Sequence, residues 1–517
     1  MTDLHDIAES TPDPRPRGRR TAVIAAVSVA VVAVLGGGAA AAAWLLGGGG
    51  TQPDEVLPAS TLAEISVDLD PSASQKLEAM RTLRKFPAID TGLGTGDDLR
   101  KWFFDQAVKD TDCKQLDFAS DVKPWLGDRA ALAAVDLAGK EPAPAVVLQV
   151  SDQARARTGI QRIVDCGHPG PDFGYAFTDG YVVMSDSADH ARTIVAAGQQ
   201  SPLSQDAGFT GLSDQAGDRG VVDFYVAQKA GSYLVDHLAD LSGEASAQDS
   251  TAMARQVKDF RGLAGAVRFA DGGVELSAIG LGAQQLAASG KAGAAVAGLP
   301  RDTAAAVGFS LPAASIQQLF QNLSGAAGMT SEQLTAQTET MTGLRLPDDL
   351  QTLLGTGVVL SLGGNAPDLD SVRGPADIPF GATVLGDPQK ISAVLDRVAE
   401  RQGISLQQLG VSEKSGDGRL VLASSDGYAA TLLGKGDLGQ APVFTDVVPE
   451  ADKAQTVEFV DFDSSWLDKV LDAAASSGED SATVAKVRKN LQPLKALGLS
   501  AWVDGDTGHF LLKVTTD

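Results

Sequence analysis

The chain has 517 residues and a formal net charge of −24, with 42 Lys and Arg against 66 Asp and Glu. Such an acidic surface repels nucleic acid and anionic lipid headgroups, and it favours solubility, cationic partners or loose divalent-ion binding. No basic patch interleaves with aromatic residues, so no nucleic-acid partner is expected, and with two cysteines and five histidines no cofactor or metal centre is expected either.

In chain order, residues 1–20 form a Pro- and Asp-rich tail without apolar periodicity, expected to be disordered and cytoplasmic. Arg15, Arg17, Arg19 and Arg20 close it, and an uncharged stretch from Thr21 to Leu46 follows. About 20 apolar residues suffice for a helix to cross the hydrocarbon core, so residues 21–46 read as a transmembrane helix. Arginines stay on the cytoplasmic side and Trp44 suits the outer interface, which gives N-terminus in and C-terminus out at the plasma membrane. A cleaved signal peptide is the rival, with Ala41, Ala42 and Ala43 as small residues for cleavage. Its apolar region runs only about 7–15 residues, shorter than this one. No cysteine lies nearby, so a lipoprotein anchor is excluded. The tail's four arginines are matched by Asp3, Asp6, Glu9 and Asp13, so the whole acidic excess falls outside the membrane.

After a linker at 47–56, the chain is too long for one ordinary core, and it reads as written twice. Leu57-Pro58-Ala59-Ser60-Thr61 is echoed by Leu299-Pro300-Arg301-Asp302-Thr303. Trp125-Leu126-Gly127 is echoed by Leu353-Leu354-Gly355, and Val221 to Phe224 by Thr456 to Phe459. The order is preserved throughout. Unit 1 therefore covers 57–282 and unit 2 covers 299–517, with 283–298 as an Ala- and Gly-rich linker or helix.

Leu62 to Leu69 and Leu132 to Leu137 have the alternation of strands. Asp179-Gly180, Asp271-Gly272, Asp417-Gly418 and Asp504-Gly505 each separate two such runs and predict hairpins, because Asp-Gly suits turns with positive φ. Helical spacing covers Asp97 to Val108, Asp387 to Glu400, Ser464 to Ala475 and Ser481 to Leu494. The expected fold is α+β: one N-terminal transmembrane helix, then two duplicated domains, each an antiparallel sheet backed by helices. Pairing between the units would extend the sheet.

The stretch Leu57 to Thr61, leading through Val67-Asp68-Leu69-Asp70-Pro71 to Gln75-Lys76 and Lys85-Phe86-Pro87, resembles the opening of domain-of-unknown-function family 3352, and Trp125-Leu126-Gly127-Asp128-Arg129 adds to it. These are bacterial membrane-anchored proteins with one N-terminal helix. The resemblance implies the anchored topology and no activity, cofactor or catalytic residue.

Among candidate sites, Cys113 and Cys166 are an even pair in an oxidising compartment and point to a disulfide, which closes a long loop worth roughly 3–4 kcal/mol. Free buried thiols are the rival. Ser120-Asp121-Val122-Lys123 satisfies S-x-x-K, but its companion elements are missing and Pro124 follows. Gly92-Leu93-Gly94-Thr95-Gly96 departs from the dinucleotide fingerprint and reads as a loop. His168 beside Cys166 lacks the further ligands of a zinc site, and His190, His237 and His509 are isolated. Asp504-Gly505-Asp506 lacks a calcium loop's acidic twelfth position, where Thr515 stands. Asp68 and Asp70 share a strand face and could bind a cation or act as acid and base, although their second-unit matches near Phe309 are apolar or small.

Three function classes follow: a non-enzymatic envelope binding or scaffold protein with a protein, glycan or lipid partner, a carrier of an apolar lipid-like ligand, and an enzyme with an unrecognised carboxylate site. The first is the leading expectation.

Overall fold

The computed structural model describes residues 51–68, 73–86, 99–109, 113–139, 141–167, 173–233, 258–476 and 480–517. The predicted membrane helix, Arg15, Arg17, Arg19, Arg20 and Trp44 lie outside these residues. Among the described residues no helix is long and apolar enough to cross a membrane.

The first half runs β1 (Thr61–Asp68), α1 (Ala73–Leu83), α2 (Leu99–Val108), β2 (Leu126–Val135), β3 (Ala143–Val150), α3 (Gln153–Gly167), β4 (Gly174–Thr178), β5 (Tyr181–Ser185), α4 (Ala188–Gln200), α5 (Ala207–Ala216), β6 (Val222–Ala227), β7 (Gly262–Ala270) and β8 (Gly273–Leu281). The second half opens with α6 (Ala292–Ala297), β9 (Thr303–Phe309), α7 (Ala313–Ala326), α8 (Ser331–Thr342), α9 (Asp348–Leu354), β10 (Gly357–Gly363) and β11 (Phe380–Leu385). It continues with α10 (Pro388–Gln402), β12 (Ser412–Gly416), β13 (Arg419–Ala423), α11 (Asp426–Leu433), α12 (Pro442–Thr445), β14 (Thr456–Asp461), α13 (Ser465–Ser476), α14 (Ser481–Leu491), β15 (Leu494–Asp504) and β16 (Thr507–Thr516).

Among the described residues the strands form one 16-stranded sheet, in the order β12-β13-β11-β10-β9-β14-β15-β16-β8-β7-β6-β1-β2-β3-β5-β4. The fold is thus α+β with one large antiparallel sheet, and the strands of the two units pair across their seam. The seam is antiparallel pairing of β8 with β16, from Leu281 opposite Thr507 to Gly273 opposite Thr515. Long strands with exposed edges pair readily with another edge, and here each half caps the other's open strand. Side chains reinforce the seam: Lys513 Nζ reaches Asp271 Oδ2 at 2.8 Å and Lys85 Nζ reaches Thr516 Oγ1 at 2.8 Å.

Inward from either edge the order is the same. It reads β4-β5-β3-β2-β1-β6-β7-β8 on one side and β12-β13-β11-β10-β9-β14-β15-β16 on the other. Local details correspond as well. Thr61 Oγ1 donates to the Pro58 carbonyl at 2.7 Å and Thr303 Oγ1 to the Pro300 carbonyl at 2.7 Å. Leu57 accepts from the Leu203 N–H, and Leu299 from the Leu438 N–H.

The Asp-Gly pairs close β4–β5, β7–β8, β12–β13 and β15–β16, all antiparallel. Gly180, Gly272, Gly418 and Gly505 all adopt positive φ there, where a Cβ would be strained. Helix α10 shows why the predicted helices form. Asp387 caps it by accepting from Gln389 and Lys390, Pro388 presets its first turn, left-handed Gly403 ends it, and Ile391 and Val394 are buried. The predicted helix to Leu494 instead stops at Leu491, and β15 starts at Leu494. Of the expected linker, only α6 and a 3-10 turn at Gln284–Leu286 are ordered elements, and α6 packs on β9, β10 and β14.

Two large cores lie on the sheet. One gathers Leu57, Val147, Tyr181, Ile194, Leu203 and Leu212, and the other Val296, Val421, Leu438, Phe444, Val457 and Phe459. Cys113 and Cys166 are joined as a disulfide with Cα atoms 5.3 Å apart, in the first half.

Candidate functional site

Strand alternation puts Leu62, Glu64 and Ser66 of β1 on the covered face of the sheet. Glu64 stands opposite Tyr225 and Ser66 opposite Asp223 on β6, and Tyr225 and Asp223 in turn face Ala264 and Ala266 on β7. Helix α5 lies over these strands. Asp206 caps it by accepting from Gly208 and Phe209 N–H groups, and the Phe209 ring meets Tyr225 edge-on with centroids 5.0 Å apart. Between α5 and the sheet is a small cleft of about 40 Å³, partly open to solvent. Glu64, Ser66, Phe209, Ser213, Arg219 and Asp223 line it.

Its charges are unequally satisfied. Arg219 donates to Asp54 Oδ2 at 2.8 Å, and Asp54 is buried with no partner for its Oδ1 among the described residues. Asp223 Oδ1 accepts from Gly220 N–H at 2.8 Å. The Arg268 guanidinium is consumed by the carbonyls of Asp218 and Ala216, by Ser277 and by Glu275. Glu64, only 5% exposed, has no side-chain hydrogen bond among the described residues. Burial first, then the nearby Asp54 carboxylate, pushes its pKa up to about 8, against the opposing pull of Arg219. Burial likewise raises Asp223 to about 6, although the Gly220 N–H and Arg219 act the other way. Glu64 is therefore largely protonated at neutral pH, whereas Asp223 is largely ionised. Burial, the largest single influence, opposes the charge of Arg219, but the Asp54 hydrogen bond and the charges of Asp54, Asp223 and Glu64 together outweigh it and hold the guanidinium above its usual range.

The corresponding positions of the second half are apolar. Ile65 pairs with Phe224 as Val307 pairs with Glu458, so Glu64 corresponds to Ala306, Ser66 to Gly308, and Asp223 to Val457, which corrects by one residue the sequence match of Val221 to Phe224 with Thr456 to Phe459. Counting back from Thr61 and Thr303, Asp54 corresponds to Val296. Val296, Ala306 and Val457 are buried in one core, and a Cβ on Gly308 would come within 2.6 Å of the Val296 side chain. Arg219 corresponds to Lys453, which pairs with Glu450 at 2.8 Å.

The residues that sequence reasoning singled out do not assemble here. Asp68 is held by Arg129 at 2.9 Å, while Asp70 lies outside the described residues, as do His168, His237 and Gly92 to Gly96. Ser120 Oγ donates to Asp121, which also pairs with Arg162, in a turn anchored by Trp125 Nε1 donating to the Asp121 carbonyl at 2.7 Å. A Cβ on Gly159 would collide with that indole nitrogen, so α3 approaches only with glycine there. His190 meets Asp186 at 2.6 Å, and His509 stacks on Trp502 with its pKa lowered by burial. Asp504-Gly505-Asp506 is the β15–β16 turn, where Gly282 N–H donates to Asp506. Glu64, Asp223, Arg219 and Asp54 were missed. The available signal was a glutamate at an alternate position of β1 whose match in β9 is alanine.

Searches among curated proteins and among solved structures each found no match. Residues 26–167, from the apolar N-terminal stretch through β1, β2, β3 and α3, match the family model described as protein of unknown function (DUF3352), so this part of the chain is similar to that family.

Proposed function

We propose that the protein is a single-pass protein of the cell envelope, with its N-terminus in the cytoplasm. Its extracytoplasmic region is a non-enzymatic binding or scaffold module that receives a protein, glycan or lipid partner at the first-half cleft. The observation that carries this reading is the internal contrast: one scaffold position packs as Val296, Ala306, Gly308 and Val457 in one half and holds Asp54, Glu64, Ser66 and Asp223 in the other. Buried ionisable groups cost stability relative to apolar packing, and perturbed carboxyls in a cleft are the mark of a used site. The repeated strand order supports duplication, with the second half keeping the scaffold and the first half the site. The Thr21 to Leu46 stretch behind four arginines supports the anchor, and the Cys113–Cys166 disulfide suits an oxidising compartment.

The enzyme reading has one observation in its favour. Two carboxyls with pKa values of about 8 and about 6 on adjacent strands could divide acid and base roles.

Native mass spectrometry of the full-length chain, extracted in detergent, tests the binding reading. An added mass that disappears in Ser213→Trp, which fills the cleft from α5, supports it. No added mass, or one that survives the substitution, removes it. A surviving lipid-sized mass points to the carrier reading and to the exposed apolar side chains Val307, Leu311, Leu319 and Leu323 on or beside β9 and α7. Conversion of the bound species to a new mass supports the enzyme.

A further inference from the structure

We propose that the ligand group received by the cleft is a primary ammonium, seated against Glu64, Ser66 and Asp223. This rests on the cleft being the binding site, and it names the chemistry of what enters. An ammonium carries three donors and no acceptor, and these side chains offer three acceptors. Glu64 lines the cleft, is nine-tenths buried and lacks a hydrogen-bond partner among the described residues. Ser66 stands directly opposite Asp223, and Glu64, two residues before Ser66 on β1, is the diagonal neighbour of Asp223. Diagonal cross-strand neighbours lie about 7 Å apart, a span that one ammonium bridges.

The other charges leave this place to a cation. Asp54 on the approach to β1 and Arg219 ahead of β6 neutralise each other, and Arg268 on β7 pairs with Glu275 and donates to Ser277 and two carbonyls. Tyr225 on β6 has its pKa raised to about 12 by burial and stays neutral, as an aromatic wall with Phe209. Among the described residues no further positive charge lines the pocket. A metal ion is less suited, because among the described residues no group of three or more His, Cys, Asp or Glu is placed to hold one. An incoming ammonium displaces the Glu64 proton to solvent. The empty site is one carboxylic acid beside one carboxylate, and the filled site is two carboxylates sharing one cation.

The test uses the full-length chain and n-butylammonium, titrated calorimetrically in two buffers of different ionisation enthalpy. Saturable one-to-one binding is expected, strengthening about tenfold per pH unit up to about pH 8 and levelling above it. One proton is released per amine bound below that pH. Butyltrimethylammonium, which has no N–H, binds about tenfold or more weakly. Glu64→Gln, nearly isosteric and checked for native circular dichroism, loses both the proton release and the pH dependence. Amine affinity equal in Glu64→Gln and wild type, binding without proton release, or no saturable binding at about pH 8.5 overturns the proposal. Nα-acetyl-lysine amide, whose side-chain ammonium is free, binding tighter than butylammonium identifies a protein side chain as the source, and equal binding identifies a small solute. If the native ligand is lost in Ser213→Trp but amines do not bind, the cleft stands as a site and only the ammonium falls.

Discussion

The two halves of the sheet are built on one strand order and differ where it matters. Around α6, the second half closes over β9 and β14 with Val296, Ala306 and Val457, all buried and apolar. Around the turn containing Asp54, the first half closes over β1 and β6 with a carboxylate, a guanidinium and two further carboxyls. Replacing buried ion pairs by well-packed apolar groups is commonly neutral or stabilising by about 1–4 kcal/mol, so the second half is the arrangement that packing alone selects. The ionic half departs from it, and departures of this kind are expected at functional positions.

The largest break of this comparison is to write the first half's charges into the second. Val296→Asp places a carboxylate among Val457, Leu438 and Phe444, where the cation corresponding to Arg219 is Lys453, already paired with Glu450. A loss of about 4–5 kcal/mol or of folding altogether is expected in urea denaturation. A loss below about 1 kcal/mol would show that the second half can host the cluster as readily as the first. Next in size, the disulfide belongs to the first half alone. Cys113→Ser with Cys166→Ser opens a loop with a sequence separation of 53 and should cost about 4 kcal/mol in the chain-entropy model. Unchanged stability of the double variant under oxidising conditions would count against any structural role for the bond.

Much of the architecture was legible because it is local. Asp-Gly pairs mark hairpins wherever they separate alternating runs, and Asp387-Pro388 followed by Ile391, Val394, Leu395 and Val398 carries cap and stripe of a helix within one window. Which strands join the two halves was not legible, because β8 and β16 look like any half-buried strands and edge pairing leaves no mark on either sequence. The site was less visible still. In Leu62-Ala63-Glu64-Ile65-Ser66-Val67 the alternation fits either face as the wet one, and Glu64 on the polar face reads as solvated. What buries it comes from afar: Arg219 meets Asp54 across a separation of 165 residues, and α5 arrives between them in the chain. Asp68 drew attention in its place because it lies beside Asp70, and Arg129 from the neighbouring strand neutralises it.

A smaller break removes the cation that lets the first half hold its charges. Arg219→Ala leaves Asp54 buried, with one oxygen already unpartnered among the described residues, and the half-exposed guanidinium limits the loss to about 2–3 kcal/mol. Asp54→Val combined with Arg219→Ala should recover most of it by copying the Val296 solution. Additive losses in the double variant, read from denaturant midpoints, would mean that the two residues do not act as a pair.

The finest distinction between the halves is their response to pH. Glu64 has a folded pKa of about 8, against an ordinary value near 4.5, so the folded state binds the extra proton between these limits. Stability is then unaffected by this group below about pH 4.5 and falls as pH rises to about 8, with a slope approaching 1.4 kcal/mol per pH unit. Asp223, raised to about 6, adds a smaller fall over the lower part of the same window. Glu64→Gln should abolish most of the slope and gain most over wild type at about pH 8, whereas Glu458→Gln, an exposed glutamate on the corresponding strand β14, should leave the slope as it is. Denaturation midpoints measured from about pH 5 to about pH 8 for the three proteins separate these outcomes. A wild-type slope that survives Glu64→Gln would move the missing proton to another group and take from the first half the property that distinguishes it.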